Sequence, residues 1–209
     1  MMRSLKNTIV VKVDQKRPDK KVLALCGRIV KSGGLVAFPT ETVYGLAANY
    51  RDASAMQALY RAKGRPKAKP STVHIADMKA IRKMGCRITK SARSLIDKFW
   101  PGPLTIILPS CAGKAVGFRM PDNEVALALI RAAGVPVVAP SANISGRKPP
   151  KSAADVLKDL DGRIDAIVDG GRTRVGIEST VVDLSAGQPK ILREGAIKAR
   201  VILKVLSKT

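Results

Sequence analysis

The sequence predicts an α/β fold: a twisted mixed sheet, parallel and antiparallel, flanked by helices. Three observations predict it. Short apolar runs of strand length alternate along the chain with stretches whose apolar residues recur at helical spacing. Two pairs of strand-like runs, 104–108 with 116–120 and 180–184 with 190–193, stand too close for a helical crossover, so the sheet is not wholly parallel. A chain of 209 residues with 45% hydrophobic content can also bury one large core, and we read a single domain over 1–209.

Each element has a local reason. Thr8–Val13 reads as a first strand. Between Asp19 and Ser32, the residues Val22, Leu25, Cys26, Ile29 and Val30 share one helical face, and Gly33 and Gly34 stop the helix. Leu35–Phe38 is an apolar strand ended by Pro39, and the polar loop Thr40 to Gly45 follows. Asp52 caps a helix that carries Met56, Leu59 and Tyr60. Ser71–Ile75 alternates like a strand, with Val73 and Ile75 on one face and Thr72 and His74 on the other. Helices over 77–84 and 89–99 lead to the turn Trp100-Pro101-Gly102-Pro103.

The strands Leu104–Leu108 and Val116–Met120 pair as a hairpin. Asn123–Ala133 is an apolar helix closed by Gly134, and the buried strand Val135–Ala139 ends in Pro140-Ser141-Ala142-Asn143. A capped helix at Ser152–Leu160 precedes the strands Ala166–Asp169, Thr180–Leu184 and Lys190–Arg193. The end of the chain, 198–209, holds a basic amphipathic helix over Lys198–Ser207.

The chain is organised around the stretch from Phe38 to Arg65. There a strand end runs into hydroxyls and a carboxylate, and the helix beyond runs into cations. Arg61, Lys63, Arg65, Lys67 and Lys69 stand at every second position, so an extended backbone would place all five on one face, fit for a polyphosphate. A solvated basic loop is the plainer reading, set against Gly64 and Pro66, which fix the backbone between them. Thr40, Glu41 and Thr42 equally fit a turn, Ser141 and Asn143 equally fit caps, and a lone His74 is more often structural than catalytic. Neither a P-loop nor a G-x-G-x-x-G fingerprint is present, and no cluster has metal-ligand spacing.

Composition narrows the partners. Thirty-eight Lys and Arg against 16 Asp and Glu give a formal charge of +22, a field that favours nucleotides and nucleic acid. Aromatic residues make up only 3%, too few to read single-stranded bases by stacking. Cys26, Cys86 and Cys111 lie far apart, without the pattern of a zinc site or disulfide framework, and read as reduced thiols. No stretch reaches membrane-spanning length and the first apolar run is too short for a signal sequence, so the expected location is cytoplasmic.

Several separate motifs now carry a resemblance. PTETVYGL at 39–46, KGRP at 63–66, VHI at 73–75, WPGPLT at 100–105, FRMP at 118–121, PSANISG at 140–146, GIESTVVD at 176–183 and ILREG at 191–195 resemble the YrdC-like threonylcarbamoyl-AMP synthase family, over about 20–197. The chain is similar to the short, single-domain type. The resemblance implies the YrdC-like fold and a nucleotidyl transfer: L-threonine, bicarbonate and ATP give threonylcarbamoyl-AMP and pyrophosphate, with Mg2+ on the ATP. The product then serves downstream threonylcarbamoyl transferase proteins that modify adenosine 37 of tRNA.

By the same resemblance, Thr42, His74, Arg119, Ala139 and Ser179 hold threonine. Lys63, Arg65, Lys69, Ser141, Asn143 and Arg193 hold ATP, with Lys63 and Arg65 acting on the phosphates during reaction. Lys69 stands where the family commonly has Asn, Ala115 where it has a hydroxyl residue, Pro149 where it has Ser, and Ser71 where it has an apolar residue. The alternative is a non-catalytic paralogue of the same fold that binds double-stranded RNA or the ribosome through its charge.

Overall fold

In the computed structural model, which describes residues 7–66 and 72–208, five helices begin at a side-chain cap, among them the expected Asp52 and Ser152. Asp19 accepts from the Lys21 and Val22 amides at the head of α1 (Lys20–Lys31), and Asp52 from Ser54 and Ala55 at the head of α2 (Ala53–Lys63). After the short α3 (Lys79–Lys83), Thr89 caps α4 (Lys90–Phe99), Asn123 caps α5 (Glu124–Ala133) and Ser152 caps α6 (Ala153–Leu160). Each such cap satisfies an otherwise orphaned amide and contributes about 1 kcal/mol. Gly64 and Gly134 end α2 and α5 at φ of 56° and 63°, a left-handed turn that suits glycine. The last helix, α7 (Ala199–Leu206), has no cap from Lys198; Glu194 Oε2 accepts from the Ala199 amide at 2.8 Å instead, and Ile202 is fully buried.

The strands are β1 (Ile9–Lys12), β2 (Val36–Phe38), β3 (Gly45–Asn49), β4 (Val73–His74), β5 (Leu104–Leu108), β6 (Val116–Arg119), β7 (Val137–Val138), β8 (Ala166–Asp169), β9 (Thr180–Asp183) and β10 (Lys190–Arg193). Among the described residues they form one mixed sheet in the order β1-β8-β2-β3-β7-β4-β6-β5-β9-β10. β5 and β6 pair as the expected antiparallel hairpin, as do β9 and β10, while β1 and β2 flank β8 in parallel.

One element departs from expectation. The polar loop was expected to run on toward α2, but it ends at Gly45 in β3, which lies between β2 and β7. All five β3 residues are buried, so no alternation of polar and apolar residues marks the strand.

The two halves of the sheet are covered differently. In the first half β2 is buried on both faces: Val36 and Phe38 pack with Leu23 and Val30 of α1 and Leu129 of α5, while Ala37 packs with Leu59 of α2 and Val156 of α6. α1 and α5 approach so closely that a Cβ on Gly27 would lie 2.6 Å from the Ala132 carbonyl carbon. In the second half the apolar face, including Val73, Ile106, Phe118 and Val182, packs with Leu95 of α4 and Ile202 of α7. The opposite face of β4, β6, β5 and β9 is the floor of a cavity.

Candidate active site

The cavity has a volume of about 430 Å³. Strand alternation decides which residues face it. Thr72 and His74 of the β4 segment, Thr105 and Ile107 of β5, and Gly117 and Arg119 of β6 line it, while their neighbours Val73, Ile106 and Phe118 belong to the core below. Register then brings the polar groups together. His74 stands beside Arg119, and Thr105 beside Val181.

The walls come from the polar strand ends. After β2, Thr40 folds the loop on itself: its hydroxyl accepts from the Thr42 and Val43 amides at 3.2 and 3.3 Å and donates to the Val43 carbonyl at 2.7 Å. After β7, Ser141 forms a bridge with Gly45, and the Ala142 amide donates to the Tyr44 carbonyl at 2.8 Å. A Cβ on Gly45 would stand 3.3 Å from the Phe38 ring, so this position has little room for a side chain.

At the buried end, Arg119 is fixed from three directions. Its Nη2 lies 2.7 Å from Glu41 Oε1 and donates to Thr42 Oγ1 at 2.8 Å, and its Nε donates to the Gly102 carbonyl at 3.3 Å. Beside it His74 is buried, its ring edge-on to Phe38 with centroids 6.3 Å apart. Burial first, and the Arg119 cation second, push the His74 imidazole down to about 3, so it is neutral at ordinary pH.

The open end is cationic. Arg65 and Arg193 both line the cavity. Arg193 donates to the Ser179 carbonyl from Nε at 3.1 Å and from Nη2 at 2.9 Å, and its Nη1 meets Glu178 Oε1 at 2.8 Å. Ser179 Oγ lies 2.9 Å from Thr105 Oγ1, which ties this clamp back to the sheet. Gly195 makes the close approach possible, because a Cβ there would come within 2.3 Å of the Glu178 carbonyl oxygen.

The structure therefore gathers Arg65, His74, Arg119, Ala139, Ser141, Ser179 and Arg193 around one cavity. Thr42 stands behind the wall as the hydroxyl that receives Arg119. The evenly spaced cations do not form an extended stripe, because Arg61 and Lys63 lie in the last turn of α2. Lys63 is 1% exposed, and its ammonium donates to the carbonyls of Ser141 and Asn143, the latter at 2.6 Å. Burial, with the Arg65 cation second, pulls Lys63 down to about 8. Asn143 braces the same loop, donating from its amide to the carbonyls of Ile144 and Arg147 at 3.0 and 2.7 Å. Lys69, like Lys67, lies outside the described residues.

Sequence reasoning did not single out Thr105 or Glu178 and read Glu41 only as part of a turn. Thr105 was legible as the one hydroxyl in the apolar run Leu104–Leu108, and Glu178 as the acid inside GIEST.

The family model for Sua5, YciO and YrdC, described as "Telomere recombination", matches residues 28–195. The threonylcarbamoyl-AMP synthase of Pyrococcus abyssi is 42% identical over 208 residues, which cover 95% of this chain and 61% of that protein. The threonylcarbamoyl-AMP synthase of Bacillus subtilis is 45% identical over 194 residues, 88% of this chain and 56% of that one. The chain thus spans about three-fifths of the length of these relatives. The crystal structure of P. abyssi Sua5 complexed with L-threonine superposes with a TM-score of 0.90 over 95% of this chain and 61% of that one, at 42% identity. E. coli YciO superposes with a TM-score of 0.81 at 25% identity, over 93% of this chain and 98% of its own. The chain belongs to the Sua5/YciO/YrdC family and has its mixed-sheet fold.

Proposed function

We propose that this chain is an L-threonylcarbamoyladenylate synthase, a nucleotidyltransferase that joins L-threonine, bicarbonate and ATP with release of pyrophosphate. The observation that carries the reading is one cavity with two chemically different ends. The buried end offers a fixed guanidinium, a neutral imidazole and paired hydroxyls, which suit a small hydroxylated amino acid. The open end offers Arg65 and Arg193, which suit phosphates. Its similarity to synthases from P. abyssi and B. subtilis supports the same assignment.

In this mechanism the threonine carboxylate meets Arg119 and the substrate hydroxyl meets Ser179 and Thr105, leaving the amine to face the open end. The amine nitrogen attacks the bicarbonate carbon and water leaves, giving the carbamate. A carbamate oxygen then attacks the α-phosphorus, and the bond to the bridging oxygen breaks with its electron pair on pyrophosphate. The protein's main contribution is to hold the carbamate in line with the phosphorus, away from water that would return it to amine and bicarbonate. Arg65 and Arg193 offset charge on the departing phosphates, and Lys63 keeps the Ser141–Asn143 loop seated against them. The amino acid binds as its zwitterion, and its ammonium releases a proton to solvent at the open end before the nitrogen attacks, so no residue is required as a general base.

Magnesium would enter with the triphosphate. Among the described residues no three His, Cys, Asp or Glu side chains group to hold a metal ion. Of the carboxylates at the cavity wall, Glu178 is engaged by Arg193 and Asp183 by Ser185. On this reading the cation would be held by phosphate oxygens and water.

The product's consumers are threonylcarbamoyl transferase proteins acting on tRNA. Incubation with ATP, L-threonine and isotopically labelled bicarbonate tests the chemistry. The label is expected in an AMP adduct of threonine seen by mass spectrometry, and its absence while ATP is consumed would refute the assignment.

A further inference from the structure

The buried end of the cavity holds a cation and an anion that belong to each other. Arg119 and Glu41 meet at 2.7 Å with 6% and 2% of their side chains exposed. The Glu41 backbone is fixed as well: its carbonyl accepts from the Val175 amide at 2.8 Å, and the Thr42 carbonyl accepts from Gly176 at 2.9 Å. Glu41 stands behind Arg119 rather than at the cavity wall. Among the described residues neither of its carboxylate oxygens has an aligned hydrogen-bond donor, so its charge is offset by the neighbouring guanidinium and not by backbone amides.

A lone buried guanidinium would attract any carboxylate or phosphate, including the phosphates of ATP itself. Paired with Glu41, Arg119 keeps the directions of its N–H groups but contributes little net field. His74 alongside it is neutral, so the buried end has no net charge. A zwitterion gains twice there, its carboxylate from the N–H groups and its ammonium from the Glu41 charge behind them. A simple anion gains only the first and is repelled by the second.

We propose that Glu41 sets the specificity of this end, selecting a zwitterionic amino acid over simple organic acids and over phosphates. The inference rests on reading the cavity as an amino-acid site. Unit charges ~7 Å apart at an effective dielectric of about 20 correspond to between one and two decades in affinity.

Titration calorimetry without ATP tests it, using L-threonine and the 2,3-dihydroxy acid in which a hydroxyl replaces its amine. The wild type is expected to prefer threonine by more than about tenfold. Glu41→Gln keeps the shape and removes the charge, and is expected to lower that ratio by about tenfold. Glu41→Asp keeps the charge and is expected to retain most of the preference. Thermal melts of each variant accompany the titrations, and if Glu41→Gln does not fold, the wild-type ratio and Glu41→Asp carry the test. Parallel weakening of both ligands at an unchanged ratio would overturn the proposal and leave Glu41 as a mere prop for Arg119. A wild type without preference would overturn it too. A wild type that binds neither molecule would instead refute the amino-acid reading of the cavity, and the inference with it.

Discussion

The Lys63 ammonium donates to the Asn143 carbonyl at 2.6 Å, so the last residue of α2 pins the loop that follows β7. The same loop returns a bond, with the Ser145 amide donating to the Lys63 carbonyl at 2.8 Å. Arg65, two residues on, lies at the cavity wall instead. The two cations therefore differ in kind. Lys63→Met leaves loop carbonyls without donors, at roughly 1–3 kcal/mol each, and should lower both the melting temperature and turnover. Arg65→Ala should lower turnover by about one to two decades, the equivalent of roughly 1.5–3 kcal/mol, with a much smaller effect on melting. Arg65→Lys should not restore it where a bidentate contact is needed. Unchanged turnover in Arg65→Ala would remove Arg65 from the phosphate site.

His74 yields a pH prediction with a definite sign. Its ordinary value is 6.5 and burial pushes it down to about 3, so between those values the unfolded chain binds a proton that the native state does not. Stability from this group is complete above about pH 6.5 and is lost as pH falls through that window, by about 1.4 kcal/mol per pH unit. Urea unfolding at pH 7, 6 and 5 measures it, and His74→Asn should flatten that slope. An NMR signal from the native imidazole titrating near 6.5 would contradict the burial argument.

The hydroxyl pair Thr105–Ser179, 2.9 Å apart, predicts the order of amino-acid substrates. Serine keeps the hydroxyl and loses one methyl, a penalty of about 1 kcal/mol in kcat/KM. Valine keeps the shape and loses the hydroxyl, leaving buried polar groups unpaired, and should fall further behind. Equal turnover of threonine and valine would exclude this pair from the amino-acid contact.

Sequence pattern reached the helices and most strands because their signals are local. Asp52 and Ser152 cap the helices they announced, and Asp19, Thr89 and Asn123, read only as the first residues of theirs, prove to be caps as well. It missed β3, since Gly45–Asn49 is buried on both faces and contains no β-branched residue. The spacing of Arg61, Lys63 and Arg65 implied a shared face, but the helix continues through Lys63 and turns its ammonium inward. The partnership of Glu41 with Arg119 spans 78 positions and depends on β6 lying next to β4, a neighbourhood no local pattern reports.

The C-terminal helix offers a separate test of what the excess charge does. α7 packs through Ile202 on the core beneath α4, and none of its residues lines the cavity. Lys204 and Lys208 share a surface cleft with Lys98 of α4. If this face meets tRNA, neutralising Lys198, Arg200 and Lys204 together should weaken binding of structured RNA. The log-log salt slope should also fall by roughly 2 to 3, while adenylate synthesis is untouched. Loss of synthesis with RNA binding intact would show that the helix supports the cavity and not an RNA surface.

The central claim is that one cavity unites an amino acid, bicarbonate and ATP, and pyrophosphate release tests it most directly. With ATP and magnesium present, release should require both L-threonine and bicarbonate, and omitting either should reduce it to background. Release that continues at the full rate without threonine, or without bicarbonate, would contradict the account.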